Sequence, residues 1–468
     1  MSLLRLSLRV SAITLVLIIQ AFSTFIEPDE TVPLERLVKN YQQYVSEHPD
    51  DIRGYYWVAR AYSLGFALAQ QEFGIWNNER PDEEPTMFMD PYQGERKTFA
   101  DGPASQLSQR KDCLVQALRW FRKGITHISS SSDTWYVAGL WLGLGWMYEE
   151  GAQFAGDVAC PIEVDVSVSD QREILRLISE IQSPDEGMAE HAKEALFAHA
   201  SSGLLLLQRA YENAPTEVSK DRLRAVLRRG WEDRAIEAYK SAYKPARTDS
   251  LKYKSYSQTA IESAKGIRTI LESRGKLTAE EKQLVKKLGD EMGEMGAFSR
   301  SVTPIVFSLS RVSCLPDLID SRAHVSFDLD GFGGDVEWPW VKPDTLLLVW
   351  DPKNTGQIDS GRRLIGTATW WMFWRDGFDA LRALDDNNDG WLEGDEMHGL
   401  GTWQDRNGNA KSDEGEVVPI EATSIARLAV FATETEVGGI GNPHGLALKN
   451  GNVLPLYDWI PQSKSRKN

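Results

Sequence analysis

The stretch DDNNDGWLEGDE, residues 385–396, places six acidic side chains and two asparagines around Gly390. Neighbouring carboxylates repel one another, so this crowding requires either open solvent or a bound cation. The chain carries a net charge of −16, and half of it lies in residues 385–416, where ten acids face only two basic residues. The acidity is therefore local, and it argues against nucleic-acid binding, which needs a basic face.

Residues 385–396, called the first loop from here on, match the twelve-residue EF-hand pattern D-x-[DN]-x-[DN]-G-x5-E. Hard oxygen donors suit calcium, the glycine at position six takes a turn with positive φ, and the glutamate at position twelve reaches back across the ion. The run FDALRAL before the loop predicts an entering helix. The predicted ligands are Asp385, Asn387, Asp389, the carbonyl of Trp391, Glu393 through a water, and Glu396.

Residues 405–416, DRNGNAKSDEGE, repeat the pattern and are called the second loop. Ala410 replaces the glycine at position six, which costs roughly 1 kcal/mol where φ is positive. We therefore expect one Ca²⁺ ion in the first loop and a second, weaker one here. The loops begin 20 residues apart, too close for a conventional pair of helix–loop–helix hands. The predicted ligands of the second loop are Asp405, Asn407, Asn409, the carbonyl of Lys411, Asp413 and Glu416.

The N-terminal residues 1–23 have the form of a secretory signal peptide. Arg5 and Arg9 precede a mostly apolar run, and the small residues Ala21 and Ser23 follow it. The alternative is an uncleaved membrane anchor, for which the run is short against the ~20 residues of a membrane span. Both interpretations predict an exported protein (periplasmic, cell-surface or extracellular), with membrane contact only if the segment is not cleaved.

Residues 24–300 are predicted to form a helical-repeat domain, because apolar residues recur at three- and four-residue spacing. The form W-x2-L-G-x2-Y occurs at residues 141–148. A small-x3-large-x2-small pattern, which lets helices approach closely, occurs at residues 117–124, 203–210 and 235–242. These motifs resemble the tetratricopeptide repeat, whose stacked helices present a concave surface to a protein or peptide. An ordinary antiparallel bundle is the alternative.

Residues 318–468 are predicted to form a second domain. Short aliphatic and β-branched runs bounded by turn residues predict strands, and Asn450-Gly451 predicts a hairpin turn. The predicted fold is mainly α, with an N-terminal tetratricopeptide-like helical array and a C-terminal mixed α+β calcium-binding domain that carries EF-hand-type loops.

Residues 325–416 resemble the calcium-binding C-terminal regions of secreted bacterial proteins of the RTX (haemolysin-type) kind. The likeness follows the order of an FDLDG segment, a D-x-N-x-D-G segment and the two loops. Asp328 and Asp330 match the first segment. In the next, Asp351 and Asp359 match, but Lys353 and Thr355 replace oxygen-rich positions and Arg363 replaces a glutamate, so we do not expect this segment to bind calcium.

The combined prediction is an exported, non-enzymatic protein that binds a protein or peptide through its helical array, with calcium holding the C-terminal module in shape. One alternative is a calcium-dependent carbohydrate or cell-wall binding protein that uses Trp338, Trp340 and the aromatics of residues 370–374. Another is a hydrolase with its site in the insertion at residues 73–106. The sequence leaves open the oligomeric state and whether Cys113 and Cys160 form a disulfide or stay free.

Overall fold

The computed structural model describes residues 30–68, 72–75, 99–101, 104–161, 167–310, 312, 314–332 and 336–464. The predicted signal peptide and most of the 73–106 insertion lie outside this part of the chain. The described residues combine an N-terminal helical region with a C-terminal strand-rich region, which confirms a mixed α and β fold.

The helical region contains a small antiparallel pair of strands and a succession of α-helices. The strands are β1 (Glu30–Pro33) and β2 (Glu72–Ile75). The helices are α1 (Leu34–Glu47), α2 (Ile52–Leu68), α3 (Ala104–Thr126), α4 (Thr134–Gly151), α5 (Val168–Ile181), α6 (Glu186–Phe197), α7 (Leu204–Glu212), α8 (Glu217–Tyr253), α9 (Gln258–Ser273) and α10 (Ala279–Gly296).

Local sequence signals start and stop these helices. Asp133 caps α4 by accepting the Trp135 N–H at 2.8 Å, and Thr278 and Glu281 form a reciprocal capping box at the start of α10. The 37-residue helix α8 packs on α4, α6, α7 and α9 and so forms the scaffold of the region. It ends where Lys254 adopts a left-handed conformation with φ of 52°.

Aromatic side chains lie directly on glycines where helices cross. Phe121 of α3 covers Gly143, and Tyr239 of α8 lies between Gly145 and Gly266. A Cβ added at any of these three glycines would lie within 2.6 Å of a ring atom. Alanine would therefore force the helices apart at these crossings.

The strand-rich region is built on a nine-stranded antiparallel sheet. Its strands run in the order β7–β10–β12–β13–β3–β6–β8–β9, with β11 paired to β12. They are β3 (Ile305–Phe307), β6 (Leu346–Trp350), β7 (Trp391–Glu393), β8 (Leu400–Trp403), β9 (Val417–Pro419), β10 (Ile425–Ala429), β11 (Glu434–Glu436), β12 (Gly439–Leu448) and β13 (Val453–Trp459). A separate pair, β4 (Ile319–Ser326) and β5 (Glu337–Val341), packs beside it. The predicted hairpin turn at Asn450-Gly451 joins β12 to β13, with a φ of 88° at Gly451.

The sheet has a hydrophobic core on each face. The interior strand β6 is buried along its whole length, and its side chains alternate between the two cores. Leu346, Leu348 and Trp350 belong to the same core cluster as the helices, whereas Leu347 and Val349 belong to the cluster shared with β4 and β5. A strand buried on both faces explains the unbroken apolar run LLLVW in the sequence.

The helical and strand-rich regions share one continuous core, which includes residues from Leu34 to Leu456. Residues 369–384 lie at the joint. The ring of Trp374 lies 5.8 Å from that of Tyr41 and 6.3 Å from that of Trp57, and Arg60 donates to the Trp371 carbonyl at 2.6 Å. Six side chains considered for sugar binding, Trp338, Trp340, Trp370, Trp371, Phe373 and Trp374, are at most 6% exposed.

The three cysteines, Cys113, Cys160 and Cys314, are free thiols, so the disulfide that the sequence left open is not formed. Within the described ranges, no helix combines the length and the apolar character that a membrane crossing needs.

Candidate metal centre

The two predicted loops lie at opposite edges of the nine-stranded sheet. The first loop leads from helix α11 (Gly377–Arg382) into the edge strand β7, and the second connects β8 to the other edge strand, β9. Helix α11 is the entering helix that the run FDALRAL predicted. The sheet therefore separates the two sets of predicted residues.

The first loop is organised by its own side-chain oxygens. The carboxylate of Asp385 at position one accepts the N–H groups of Asp389 at 3.2 Å and Gly390 at 3.0 Å. Asp389 at position five accepts the Trp391 N–H at 2.9 Å. Glu396 at position twelve accepts the N–H of Asp386 at 2.9 Å and, with its other oxygen, that of position nine at 3.2 Å.

The second loop repeats these bonds position by position. Asp405 accepts the N–H of Asn409 at 3.2 Å and of Ala410 at 2.8 Å. Asn409 accepts the Lys411 N–H at 2.8 Å. Glu416 accepts the N–H groups of positions two and nine at 2.9 and 3.3 Å. Two sequences that share few residues therefore form one backbone structure, because oxygens recur at positions one, five and twelve.

Both loops turn through left-handed backbone at positions four and six. In the first loop Asn388 has a φ of 56° and Gly390 one of 87°. In the second Gly408 has a φ of 70° and Ala410 one of 54°. Each loop thus places glycine at one of the two positions and a residue with a side chain at the other, asparagine in the first loop and the more strained alanine in the second.

The first and last residues of both loops are buried carboxylates. Asp385 is 2% exposed, Glu396 9%, Asp405 0% and Glu416 4%. Among the described residues no basic side chain forms an ion pair with any of the four. Burial, together with the negative charges of Glu396 and Asp389, raises the pKa of Asp385 to about 6.

The remaining predicted ligands lie at the surface. The side chains at positions three, five and nine are exposed in both loops, where they leave oxygens open to solvent; they are Asn387, Asp389 and Glu393 in the first loop and Asn407, Asn409 and Asp413 in the second. In the described part of the chain, no three His, Cys, Asp or Glu side chains converge closely enough to hold a metal ion by themselves. A cation in these loops would also need asparagine and backbone carbonyl oxygens, which the EF-hand pattern supplies at positions three, five and seven.

Contacts outside the loops differ and were not predicted from the sequence. Asp386 of the first loop accepts from Arg36 Nε at 2.8 Å and from Asn40 Nδ2 at 2.7 Å, both on α1. Asp405 of the second loop accepts from the indole N–H of Trp340 on β5 at 2.6 Å. The partners of Asp386 are about 350 residues away in sequence, so no local pattern indicates them.

A polar cleft of about 680 Å³ lies between the α1–α2 turn and the turn before α4. Its walls include Tyr44, Asp51, Arg53, Asp133 and Tyr136. Behind this wall the hydroxyl of Tyr136 donates to the buried carboxylate of Asp379 on α11. None of the predicted site residues lines the cleft.

Comparison with protein families matches part of the chain. A family model described as the SPM domain matches residues 317–448, less than a third of the 468 residues. The matched segment contains the first and the second loop. No curated protein matches the chain.

Proposed function

We propose that this is an exported, non-enzymatic calcium-binding protein, in which Ca²⁺ stabilises the strand-rich region and the helical array binds a protein or peptide. The first loop binds one ion through Asp385, Asn387, Asp389, the Trp391 carbonyl, Glu393 and Glu396. The second loop binds a further ion more weakly through the corresponding residues of 405–416.

The observation that carries this proposal is the burial of two carboxylates per loop without a basic partner among the described residues. A buried carboxylate is stable only if it is protonated, hydrogen-bonded to donors or paired with a cation. Backbone N–H groups satisfy part of this need, as the bonds to Asp385 and Glu396 show. Burial is the main cause of the raised pKa of Asp385, and repulsion by Glu396 and Asp389 adds to it. A divalent ion would offset both effects.

The donor chemistry fits calcium better than a transition metal. Every predicted ligand is a carboxylate, an amide or a backbone carbonyl oxygen, and hard oxygen donors prefer Ca²⁺ or Mg²⁺. Ten acids in residues 385–416 favour a divalent ion over a monovalent one. In the structure both oxygens of the glutamate at position twelve accept backbone N–H groups, so a bound ion would compete with these bonds for the carboxylate.

Outside the cytoplasm calcium can reach millimolar concentration. For a site with a Kd near 10⁻⁵ M, the calcium concentration is then about one hundred times the Kd. Binding at that ratio stabilises the folded protein by roughly 2.7 kcal/mol. A stabilisation of this size is enough to keep a loop with repelling charges folded, as expected of an ion with a structural role.

The helical array supports the second half of the proposal. Helices α2, α3, α4, α8, α9 and α10 pack in succession, with glycine–aromatic contacts at the crossings. Stacked helix pairs of this kind form extended surfaces on which peptides bind. Testing this part requires pull-down of exported proteins with the full chain, compared between calcium and EDTA.

The calcium proposal is tested by calorimetric titration of the full chain, because the shared core argues against isolating residues 318–468. We expect one or two ions per chain, with Glu396→Gln removing the tighter site and Glu416→Gln the weaker. Matched controls are Asp395→Asn and Glu414→Gln, which change exposed acids inside the same loops and should leave both sites intact. Wild-type protein that takes up no calcium at millimolar concentration would refute the proposal.

A further inference from the structure

Residues 351–362, DPKNTGQIDSGR, form a third loop with the backbone structure of the other two and are called the arginine loop. Asp351 at position one accepts the N–H groups of Thr355 at 2.9 Å and Gly356 at 2.7 Å. Thr355 at position five accepts the Gln357 N–H at 3.3 Å. These are the same bonds, from position one to five and six and from five to seven, that organise the first and second loops.

Two further features agree at the same positions. Asn354 at position four has a φ of 52° and Gly356 at position six one of 69°, so the left-handed residues fall where they do in the other loops. Ile358 at position eight is 2% exposed, as Leu392 at that position of the first loop is 0% exposed. The arginine loop therefore shares with the first loop the hydrogen bonds to positions one and five, the two left-handed turns and the buried apolar residue. Position twelve differs, because Arg362, and not Arg363, stands there in place of the glutamate.

The difference lies in what faces the ligand positions. The side chain of Arg363 is 0% exposed, and its guanidinium is directed into the loop. Nη1 donates to the Gln357 carbonyl at 2.8 Å and lies 3.4 Å from the Thr355 hydroxyl. Nε lies 3.7 Å from Asp359 Oδ1. These three oxygens belong to positions seven, five and nine, which in the first loop are predicted calcium ligands.

We infer that the guanidinium of Arg363 takes the place of a metal ion in the arginine loop, which is thereby filled from within and binds no calcium. The comparison with the other loops rests on the proposed calcium function. The physical reason is that a buried guanidinium supplies both a positive charge and directed N–H donors to carbonyl, hydroxyl and carboxylate oxygens. Lys353 at position three adds a second positive charge that would repel a divalent ion.

The first test measures thermal unfolding of the full chain in EDTA, where calcium plays no part. Arg363→Met keeps the aliphatic volume and removes the charge and the N–H donors. We expect its midpoint to fall by roughly 3–5 °C, because breaking a buried charge contact in a chain of this size has about that effect. Arg363→Lys keeps the charge but lacks the planar guanidinium, so its midpoint should lie between those of wild type and Arg363→Met. Equal midpoints for Arg363→Met and wild type would overturn the inference.

The second test compares two variants that differ only at residue 363. Lys353→Asp, Thr355→Asp and Arg362→Glu together supply the ligand oxygens of positions three, five and twelve while Arg363 remains, and a quadruple variant adds Arg363→Met. We expect the quadruple variant to bind one more calcium ion per chain than the triple variant. Equal stoichiometry would contradict the inference even if both variants keep the ions of the first and second loops. Failure of the calcium proposal is recognised separately, by wild-type protein that binds no ion, and leaves the EDTA result valid.

Discussion

The first and second loops have the same backbone structure but different surroundings. The first loop follows α11, whose Asp379 accepts from Tyr136 of α4, and its Asp386 is bound to α1. The second loop contacts the strand-rich region, with Asp405 on Trp340 and the Ser412 hydroxyl accepting the Ile358 N–H at 2.8 Å. Two loops with the same backbone can therefore affect different parts of the protein. Loss of order in the first loop would also destabilise the helices that it contacts, because Asp386 is bound to α1.

The contacts of the first loop change one expectation. The difference in composition between residues 24–300 and 318–468 indicates two domains. If these domains unfolded independently, removal of calcium would lower the melting temperature of the C-terminal half and leave that of the helical half nearly unchanged. The shared core and the contacts of the first loop with α1 argue instead for coupled unfolding. Variants at the joint and in the two loops separate these outcomes, from the largest expected effect to the smallest.

The largest effect is expected from the buried carboxylate of Asp379 at the joint beside the first loop. Burial and the neighbouring charge of Asp376 raise the pKa of Asp379 to about 7, although Arg382 and Tyr136 act in the opposite direction. A carboxyl whose pKa is raised in the folded state contributes stability that is complete below the unfolded pKa near 4 and is lost as the pH rises to about 7. The change across this window is on the order of 4 kcal/mol.

Asp379→Asn, which mimics the protonated form, should therefore gain stability relative to wild type as the pH rises from 5 to 8. Denaturant unfolding at several pH values measures the difference. Asp344→Asn, an exposed aspartate on the strand-rich side, is the control and should show a constant difference. A constant difference for Asp379→Asn as well would mean that the pKa of this carboxyl in the folded protein does not lie in this range, which would contradict the prediction.

The next effect compares the two loops directly. Glu396→Gln and Glu416→Gln should each lower the free energy of unfolding by up to about 2.7 kcal/mol at millimolar calcium, and the losses should vanish in EDTA. Only Glu396→Gln should also reduce the protection of amide hydrogens in α1, because only the first loop contacts that helix. Hydrogen exchange in calcium and in EDTA measures this. Equal loss of α1 protection in both variants would show that the surroundings of the loops do not matter.

The sequence predicted those features that depend on local pattern. Positions one, five, six and twelve determine the loop turns, so the first and second loops could be aligned from their residues alone, and the run FDALRAL indicated α11. The placement of the loops at opposite sheet edges could not be predicted, because β7 and β9 are three-residue strands whose partners are set by distant residues. The role of Arg363 was hidden for a related reason. The sequence showed only that a glutamate was missing from this loop. The contacts of Arg363 with Thr355 and Gln357 are visible only in the folded loop.

A smaller effect is expected from Asn40 on α1. Its amide donates to Asp386 Oδ1 at 2.7 Å and to the Ala383 carbonyl at 3.1 Å, and the residue is 2% exposed. Asn40→Ala should lower the free energy of unfolding by about 1–2 kcal/mol, since one of the lost hydrogen bonds is to a charged group. It should also weaken the effect of calcium on α1 protection. Gln43→Ala on the same helix removes an exposed bond to Glu47 and should do neither.

The smallest effect is expected at position six, where the two loops differ in sequence but not in backbone. Ala410→Gly relieves roughly 1 kcal/mol of strain at a φ of 54°. The gain is offset by loss of a buried methyl group and by the greater entropy of glycine in the unfolded chain, together about 1 kcal/mol. We therefore expect a net change below about 0.5 kcal/mol.

Gly390→Ala has no such compensation from strain relief. It places a Cβ at a φ of 87° and 3.3 Å from the ring of Phe431, so it should lower the free energy of unfolding by about 1 kcal/mol. Denaturant unfolding of both variants in EDTA checks the asymmetry. If Ala410→Gly instead stabilised the protein by more than 1 kcal/mol, strain at position six would be the main reason for a weaker second loop, and burial of the Ala410 methyl group would contribute little.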